Sequence, residues 1–170
     1  MPTSPSSPAV RDLLRVLATT LDARAAVEIG SDGGDSAVAV LSGMALAGSL
    51  TSIENDRDQH ERAAATVAGS GLATRVRAIV GDPAVVLPRL ADGGYDLVLA
   101  QGGAAATAAA IEHAPRLLRP GGMLVVTAAA AGAASLQRLA GELAEDERFV
   151  PALLPLDDGV LLATLTGSDG

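Results

Sequence analysis

The residues best suited to chemistry cluster in one stretch, Val27-Glu28-Ile29-Gly30-Ser31-Asp32-Gly33-Gly34-Asp35-Ser36. Its glycines let the backbone turn tightly and let a ligand approach main-chain atoms. Glu28, Asp32 and Asp35 bring carboxylates to the same turn, and Asp35 or Ser36 suits the N-cap of a following helix. More acids follow at Glu54-Asn55-Asp56 and Gly81-Asp82, and Gln101-Gly102-Gly103 completes the set. Carboxylates gathered in this way accept hydrogen bonds from hydroxyl and amino groups and attract cations. They repel phosphate. The plain alternative is a strand-to-helix turn with no ligand, each acid serving as a helix cap or a solvated loop charge.

The elements around these residues must bring them to one place. Residues 25–29 form a short apolar run with β-branched side chains, as a buried parallel strand should. Ahead of it, Val10, Leu13, Leu14, Leu17 and Leu21 fall at helical spacing, which predicts one amphipathic helix over 10–21. After it, helices are predicted over 36–47, 57–70, 84–90, about 103–118 and 135–145. Strands are predicted over 50–54, 75–80, 95–100 and 123–127. Two extended runs, 149–156 and 160–166, flank Asp157-Asp158-Gly159 and read as a hairpin. Strand–helix alternation closed by a hairpin means an α/β doubly wound sheet. Right-handed crossovers then place a ligand at the carboxyl ends of the strands, where the strand order reverses. That edge should carry the segments Gly30 to Asp35, Glu54 to Asp56, Gly81-Asp82, Gln101-Gly102 and Thr127-Ala128, with no arginine in reach.

Composition narrows the possible ligands. The 170 residues make one domain, 9–170, behind a Pro- and Ser-rich stretch over 1–8 that reads as a disordered tail rather than a signal peptide. No apolar run approaches the roughly 20 residues of a membrane span, so a cytoplasmic protein without a membrane partner is expected. The chain has no cysteine, which excludes disulfides, thiolate metal sites and thiol nucleophiles. It also has no lysine, and its net charge is -8 with 1% aromatic residues, which sets nucleic-acid binding aside. A dinucleotide wants its pyrophosphate at a helix N-terminus free of carboxylates, and the G-x-G-x-x-G fingerprint is absent. A nicotinamide oxidoreductase is therefore disfavoured. S-adenosylmethionine fits better: it has no phosphate and carries a sulfonium and an ammonium against one carboxylate. Glu54 is placed to accept from ribose hydroxyls and Asp82 from an adenine amino group.

The blocks VEIGSDGGDSA, LTSIENDRDQ, VRAIVGDPAVVLPRL, YDLVLAQGG, LLRPGGMLVV and LPLDDGVLLATL stand in this order over residues 25–166. Together they resemble the class I S-adenosylmethionine-dependent O-methyltransferases of bacteria, related to catechol and caffeoyl-CoA O-methyltransferases. The resemblance implies a seven-stranded sheet, mostly parallel with a C-terminal antiparallel hairpin. It also implies that Glu28 and the turn residues Gly30, Ser31, Asp32, Gly34 and Ser36 hold the methionyl end. Glu54 and Asn55 would lie at the ribose, Gly81 and Asp82 at the adenine, and Gln101 beside the cofactor.

Departures from the family pattern carry expectations of their own. The usual G-x-G-x-G turn has Asp32 at its middle glycine, where a carboxylate either pairs with the cofactor's ammonium or repels its carboxylate. Metal-dependent relatives carry an Asp after the fourth strand and an Asp-Asn pair after the fifth; Gln101 and Thr127-Ala128 stand there instead, so no metal is expected. No general base is evident, because His60 and His113 fall on helix faces and Tyr95 starts its strand at the far end of the sheet. The expected activity is metal-independent methylation of a small-molecule oxygen. The alternative is a non-catalytic relative that binds a partner or only the cofactor. An apolar first helix left uncovered by the sheet would favour a homodimer.

Overall fold

Strand β1 (Ala25–Ile29) holds the centre because it has no exposed face: its last four residues are all buried, and even its polar member, Glu28, is wholly enclosed. It pairs in parallel with β2 (Ser49–Glu54) on one side and β4 (Tyr95–Ala100) on the other. A computed structural model describes residues 5–167 of the chain. With β3 (Val76–Val80), β5 (Leu118–Thr127), β6 (Phe149–Leu154) and β7 (Val160–Leu165), these strands form a seven-stranded sheet in the order β3-β2-β1-β4-β5-β7-β6. β7 runs antiparallel to β5 and β6, so the doubly wound sheet ends in an antiparallel hairpin.

Side chains alternate across this sheet and feed two cores. On one face Ala26, Leu97, Leu99 and Val125 meet helices α1 (Pro8–Thr20) and α2 (Asp35–Gly43), with Val67 of α3 (Arg57–Gly69) joining them. On the other, Val27, Ile29, Val98 and Leu124 meet α5 (Gly103–Leu117) and α7 (Ala133–Glu145), beside the short α4 (Pro83–Val86). Helix α1 buries Val10, Leu14 and Ala18 within the first core. Its apolar face is thus covered inside the chain, and the homodimer expected from an uncovered α1 loses that argument. No helix among the described residues is long and apolar enough to cross a membrane.

Several boundaries differ from the sequence expectation, each for a long-range reason. Helix α2 stops at Gly43 rather than near residue 47, because Arg75 donates to the Leu41, Ala45 and Gly48 carbonyls and holds the chain in a turn. Strand β5 begins at Leu118, not residue 123: Leu118 pairs with Tyr95, and the Pro120-Gly121-Gly122 stretch is absorbed as an irregularity before Met123 meets Leu97. A further turn of helix, α6 (Ala128–Ala131), follows β5 directly and ends at Gly132. The tail expected over 1–8 falls partly outside the described residues. From Pro5 onward the chain is part of the fold: Ser6 is buried, Ser7 accepts from the Val10 amide as an N-cap, and α1 starts at Pro8.

The edge of the sheet opposite the carboxyl ends is tied by one carboxylate. Asp96 accepts from the Arg24 amide at 2.8 Å and the Ala25 amide at 3.0 Å, and it pairs with Arg119, which also donates to the Leu21 carbonyl. Burial pushes the Asp96 carboxyl up, but Arg119 and the two amides outweigh it and hold the group below its ordinary range. Its contribution to stability is therefore present above the ordinary carboxylate value and fades as pH falls through the lowered one. Asp96→Ala should cost about 2 kcal/mol at pH 7, since hydrogen bonds to a charged group are worth that much. Urea unfolding checks this, and the difference from the unsubstituted chain should shrink toward pH 3.

Candidate active site

The turn after β1 is built by close backbone contact. Gly30 has φ +84°, and a Cβ there would lie 2.3 Å from the Gly102 Cα, so the loops after β1 and β4 meet main chain to main chain. Asp32 follows in the left-handed region at φ +43°. Its two carboxylate oxygens accept from the Ser6 amide at 3.3 and 3.1 Å. Burial pushes the Asp32 carboxyl up, against the downward pull of the Ser6 contacts. Gly34 packs under α3, where a Cβ would meet the Ala63 carbonyl oxygen at 2.7 Å, so its role is helix packing.

Neither Asp35 nor Ser36 caps α2; Gly34 occupies the cap position and no side chain bonds there. Ser36 instead donates to Glu28, and Asp35 pairs with Arg11 of α1 at 3.4 Å. The sequence predicts no arginine at this edge; Arg11 corrects that, because α1 runs alongside α2 and carries the guanidinium to Asp35 and to the Ser6 carbonyl. Arg75, Arg116 and Arg119 bind backbone carbonyls elsewhere.

Glu28 lies behind the turn, without solvent contact. Its oxygens accept from Ser36, from Ser52 Oγ at 2.9 Å and from Gln101 Nε2 at 3.2 Å. Gln101 Oε1 in turn accepts from Ser6 Oγ at 3.1 Å. Burial pushes the Glu28 carboxyl up to about 8; the serine hydrogen bonds pull the other way, and the nearby acids Asp32 and Glu54 add to the rise. Glu54, at the end of β2, accepts from the Ser31 amide and hydroxyl, each at 2.9 Å, and from the Asp56 amide at 3.1 Å. Asp82 caps α4 by accepting from the Ala84 amide at 2.9 Å, and the Gly81 amide donates to the Glu54 carbonyl.

Two cavities open along this edge. The first, about 320 Å³, is lined by Gly30, Glu54, Asn55, Asp82, Gly102 and Ala106, among others. The second, about 290 Å³, lies between Ser6 and Ser7, the end of β5 at Thr127, and the β6–β7 turn at Asp157 to Gly159. The fold thus brings Gly30, Glu54, Asn55 and Asp82 to one cavity. Glu28, Ser36 and Gln101 form a buried network beside it, and Ser31 links to it through Glu54. Sequence reasoning missed Ser6, Arg11 and Ser52. Of these only Ser52 left a signal, one of two adjacent hydroxyl residues, Thr51 and Ser52, within a strand expected to be buried. His60 on α3 and His113 on α5 are half-buried, and Tyr95 packs against the core at the opposite edge.

A crevice at the reversal point of a 3-2-1-4-5-7-6 sheet, with an acid ending the second strand, defines the Rossmann-like methyltransferase class. The chain matches the family described as "Methyltransferase domain" over residues 27–127. A curated protein of Mycobacterium sp. (strain JLS), named "Putative O-methyltransferase", is 39% identical over 170 residues, covering 92% of this chain and 77% of the relative. A protein of the same name from Mycolicibacterium vanbaalenii is 40% identical, covering 92% and 75%. Among solved structures, the O-methyltransferase TomG from Streptomyces achromogenes, in complex with SAM, superposes with a TM-score of 0.85 at 28% identity, covering 98% of this chain and 84% of that one. The chain belongs to the S-adenosylmethionine-dependent O-methyltransferase family.

Glu28 makes the stability of the whole domain depend on pH. Between its unfolded value near 4.5 and about 8 the folded chain holds a proton that the unfolded chain releases. Stability should therefore fall as pH rises across that window, by at most about 1.4 kcal/mol per pH unit for one proton. Urea midpoints from pH 5 to 8.5 should show this slope, and Glu28→Gln should flatten it. Parallel profiles for the two proteins would contradict the assignment.

Proposed function

We propose that this protein transfers a methyl group from S-adenosylmethionine to an oxygen of a small molecule without a metal ion. The observation that carries the reading is Glu54. It is nearly buried and fixed by three hydrogen bonds, and it lines the cavity beside the Gly30–Gly102 contact. A carboxylate so held, at the end of a strand, suits the paired hydroxyls of a ribose. Its geometry is set before any ligand arrives, which lowers the ordering cost of binding. Gly30 and Gly102, packed main chain to main chain, form one wall of this cavity.

The cofactor, when bound, supplies an electrophilic methyl on a sulfonium. The chain's part is binding and orientation: Glu54 holds the ribose, Asp82 the adenine side, and Gln101, fixed by Glu28, the methionyl side. Carboxylates here stabilise a cationic cofactor in the ground state, and that binding alone does not raise the rate. Acceleration comes from holding the acceptor oxygen in line at near-attack distance. No lysine exists to act as a base, so an acceptor whose hydroxyl is already acidic suits the site.

The metal-independent part rests on the donor set. A hard divalent ion wants several anionic oxygens. At the ends of β4 and β5 the chain offers the Gln101 amide, already engaged on both sides, and the Thr127 hydroxyl. Chelation with EDTA should leave methyl transfer unchanged, and added magnesium should not raise it. A drop of tenfold or more on chelation would overturn this part.

Calorimetric titration with S-adenosylhomocysteine tests the cofactor site. Glu54→Ala should weaken binding about 10- to 100-fold, as expected for loss of hydrogen bonds to a charged acceptor. Unchanged affinity in the variant would remove Glu54 from the site. Absence of binding to the unsubstituted chain at millimolar ligand would favour the non-catalytic reading, in which Ser6 holds Asp32 and Gln101 closed.

A further inference from the structure

The cavity beside Glu54 is closed at one end and open at the other. Glu54, Pro83 and Ala106 line it from buried positions, whereas Asp82, Ala84 and Ala105 line it from exposed ones. Asp82 and Ala84 stand at the start of α4, and Ala105 lies in the first turn of α5, so the open end is a gap between two helix starts. With the ribose on Glu54 and the methionyl end toward Gln101, the base of the cofactor lies in this gap. No ring covers it there. The chain has no tryptophan, one tyrosine and one phenylalanine, and both Tyr95, which starts β4, and Phe149, which starts β6, stand at the opposite edge of the sheet. Of the exposed lining residues only Asn55 and Asp82 extend beyond Cβ. Asp82 gives Oδ1 to the Ala84 amide at 2.9 Å, and among the described residues its other oxygen takes no hydrogen bond.

We infer that this site selects its cofactor by the ribose and methionyl ends and leaves the amino edge of the base open, so that it takes S-adenosyl ligands enlarged at the exocyclic amine, with Ala84 and Ala105 setting the tolerance. The inference rests on the methyl-transfer reading and concerns the ligand range of the same site. A few well-placed polar groups fix a ligand's orientation. Here the fixed group is Glu54, which three hydrogen bonds hold at the closed end. An amine with one substituent keeps one N–H for the free oxygen of Asp82, and the substituent leaves between α4 and α5 into solvent. It meets only methyl groups on the way. Rejecting an enlarged base requires something that clashes with it, and a longer side chain at either alanine would supply that clash.

S-adenosylhomocysteine and its N6-benzyl derivative are titrated into the protein by calorimetry, with adenosine and N6-benzyladenosine beside them. The two members of each pair should bind within about threefold of one another. Ala84→Phe and Ala105→Phe, made separately, should each weaken the benzyl ligand about tenfold or more relative to the plain one. S-adenosylhomocysteine should still bind both variants, which shows that the site remains folded. Val85→Phe, an equally large ring on a part of α4 that does not line the cavity, should leave the ratio unchanged. A benzyl ligand more than about threefold weaker than the plain one on the unsubstituted chain, or a ratio that neither alanine variant changes, would overturn the inference even where S-adenosylhomocysteine binds. Failure of S-adenosylhomocysteine to bind, with the two nucleosides binding alike, would instead count against methyl transfer and leave the open base site standing. Failure of all four ligands at millimolar concentration would overturn both.

Discussion

The ends of β1 and β4 and the start of α2 are tied to one buried carboxyl group. Glu28 sits in the middle of the central strand, takes hydrogen bonds from α2, β2 and the end of β4, and has no contact with water. Ser36, Ser52 and Gln101 therefore have fixed positions, and Gln101 passes the constraint on to Ser6 and so to Asp32. Such a network is worth forming only if every member is satisfied, because an unpaired group in this low-dielectric setting is expensive. A glutamate inside a parallel strand looks like an error by hydrophobic pattern. Here it clamps β1 to α2, β2 and the end of β4, and burial pushes its carboxyl up to about 8.

That clamp sets a division of labour between carboxylates. Glu28 is enclosed and organises; Glu54 is nearly enclosed but lines the cavity; Asp82 has its cap bond to satisfy and still lines the same space. Asp157 and Asp158 lie outside the network and face the neighbouring cavity. Asp32 is the unusual member. It takes left-handed backbone that glycine adopts more easily, and the Ser6 amide compensates by binding both of its oxygens. The N-terminal segment is in this way tied to the turn through Asp32.

Much of this was legible in the sequence, for physical reasons. Parallel strands buried on both faces read as apolar runs, so β1 and β4 have the predicted ends. The reversal point of a doubly wound sheet follows from crossover handedness, which predicts Gly30, Glu54 and Asp82 at one edge. What the sequence hid was made by contacts distant along the chain. The end of α2 depends on Arg75, some thirty residues on, and the order of Pro5 to Ser7 depends on Asp32 and Gln101. Short polar residues near a terminus look like a tail unless their partners are known. Whether an acid caps a helix, fills a network or faces a ligand is likewise a matter of side-chain direction. Composition made all of them look alike.

The central claim is that the cavity between Gly30, Glu54 and Asp82 holds the nucleoside of the cofactor. A crystal structure of the protein with S-adenosylhomocysteine tests it most directly. The expected result puts both ribose hydroxyls within about 3 Å of the Glu54 carboxylate, with Glu28 still enclosed behind Gln101. A nucleoside bound outside this cavity, or a ribose that turns its hydroxyls away from Glu54, would contradict the account.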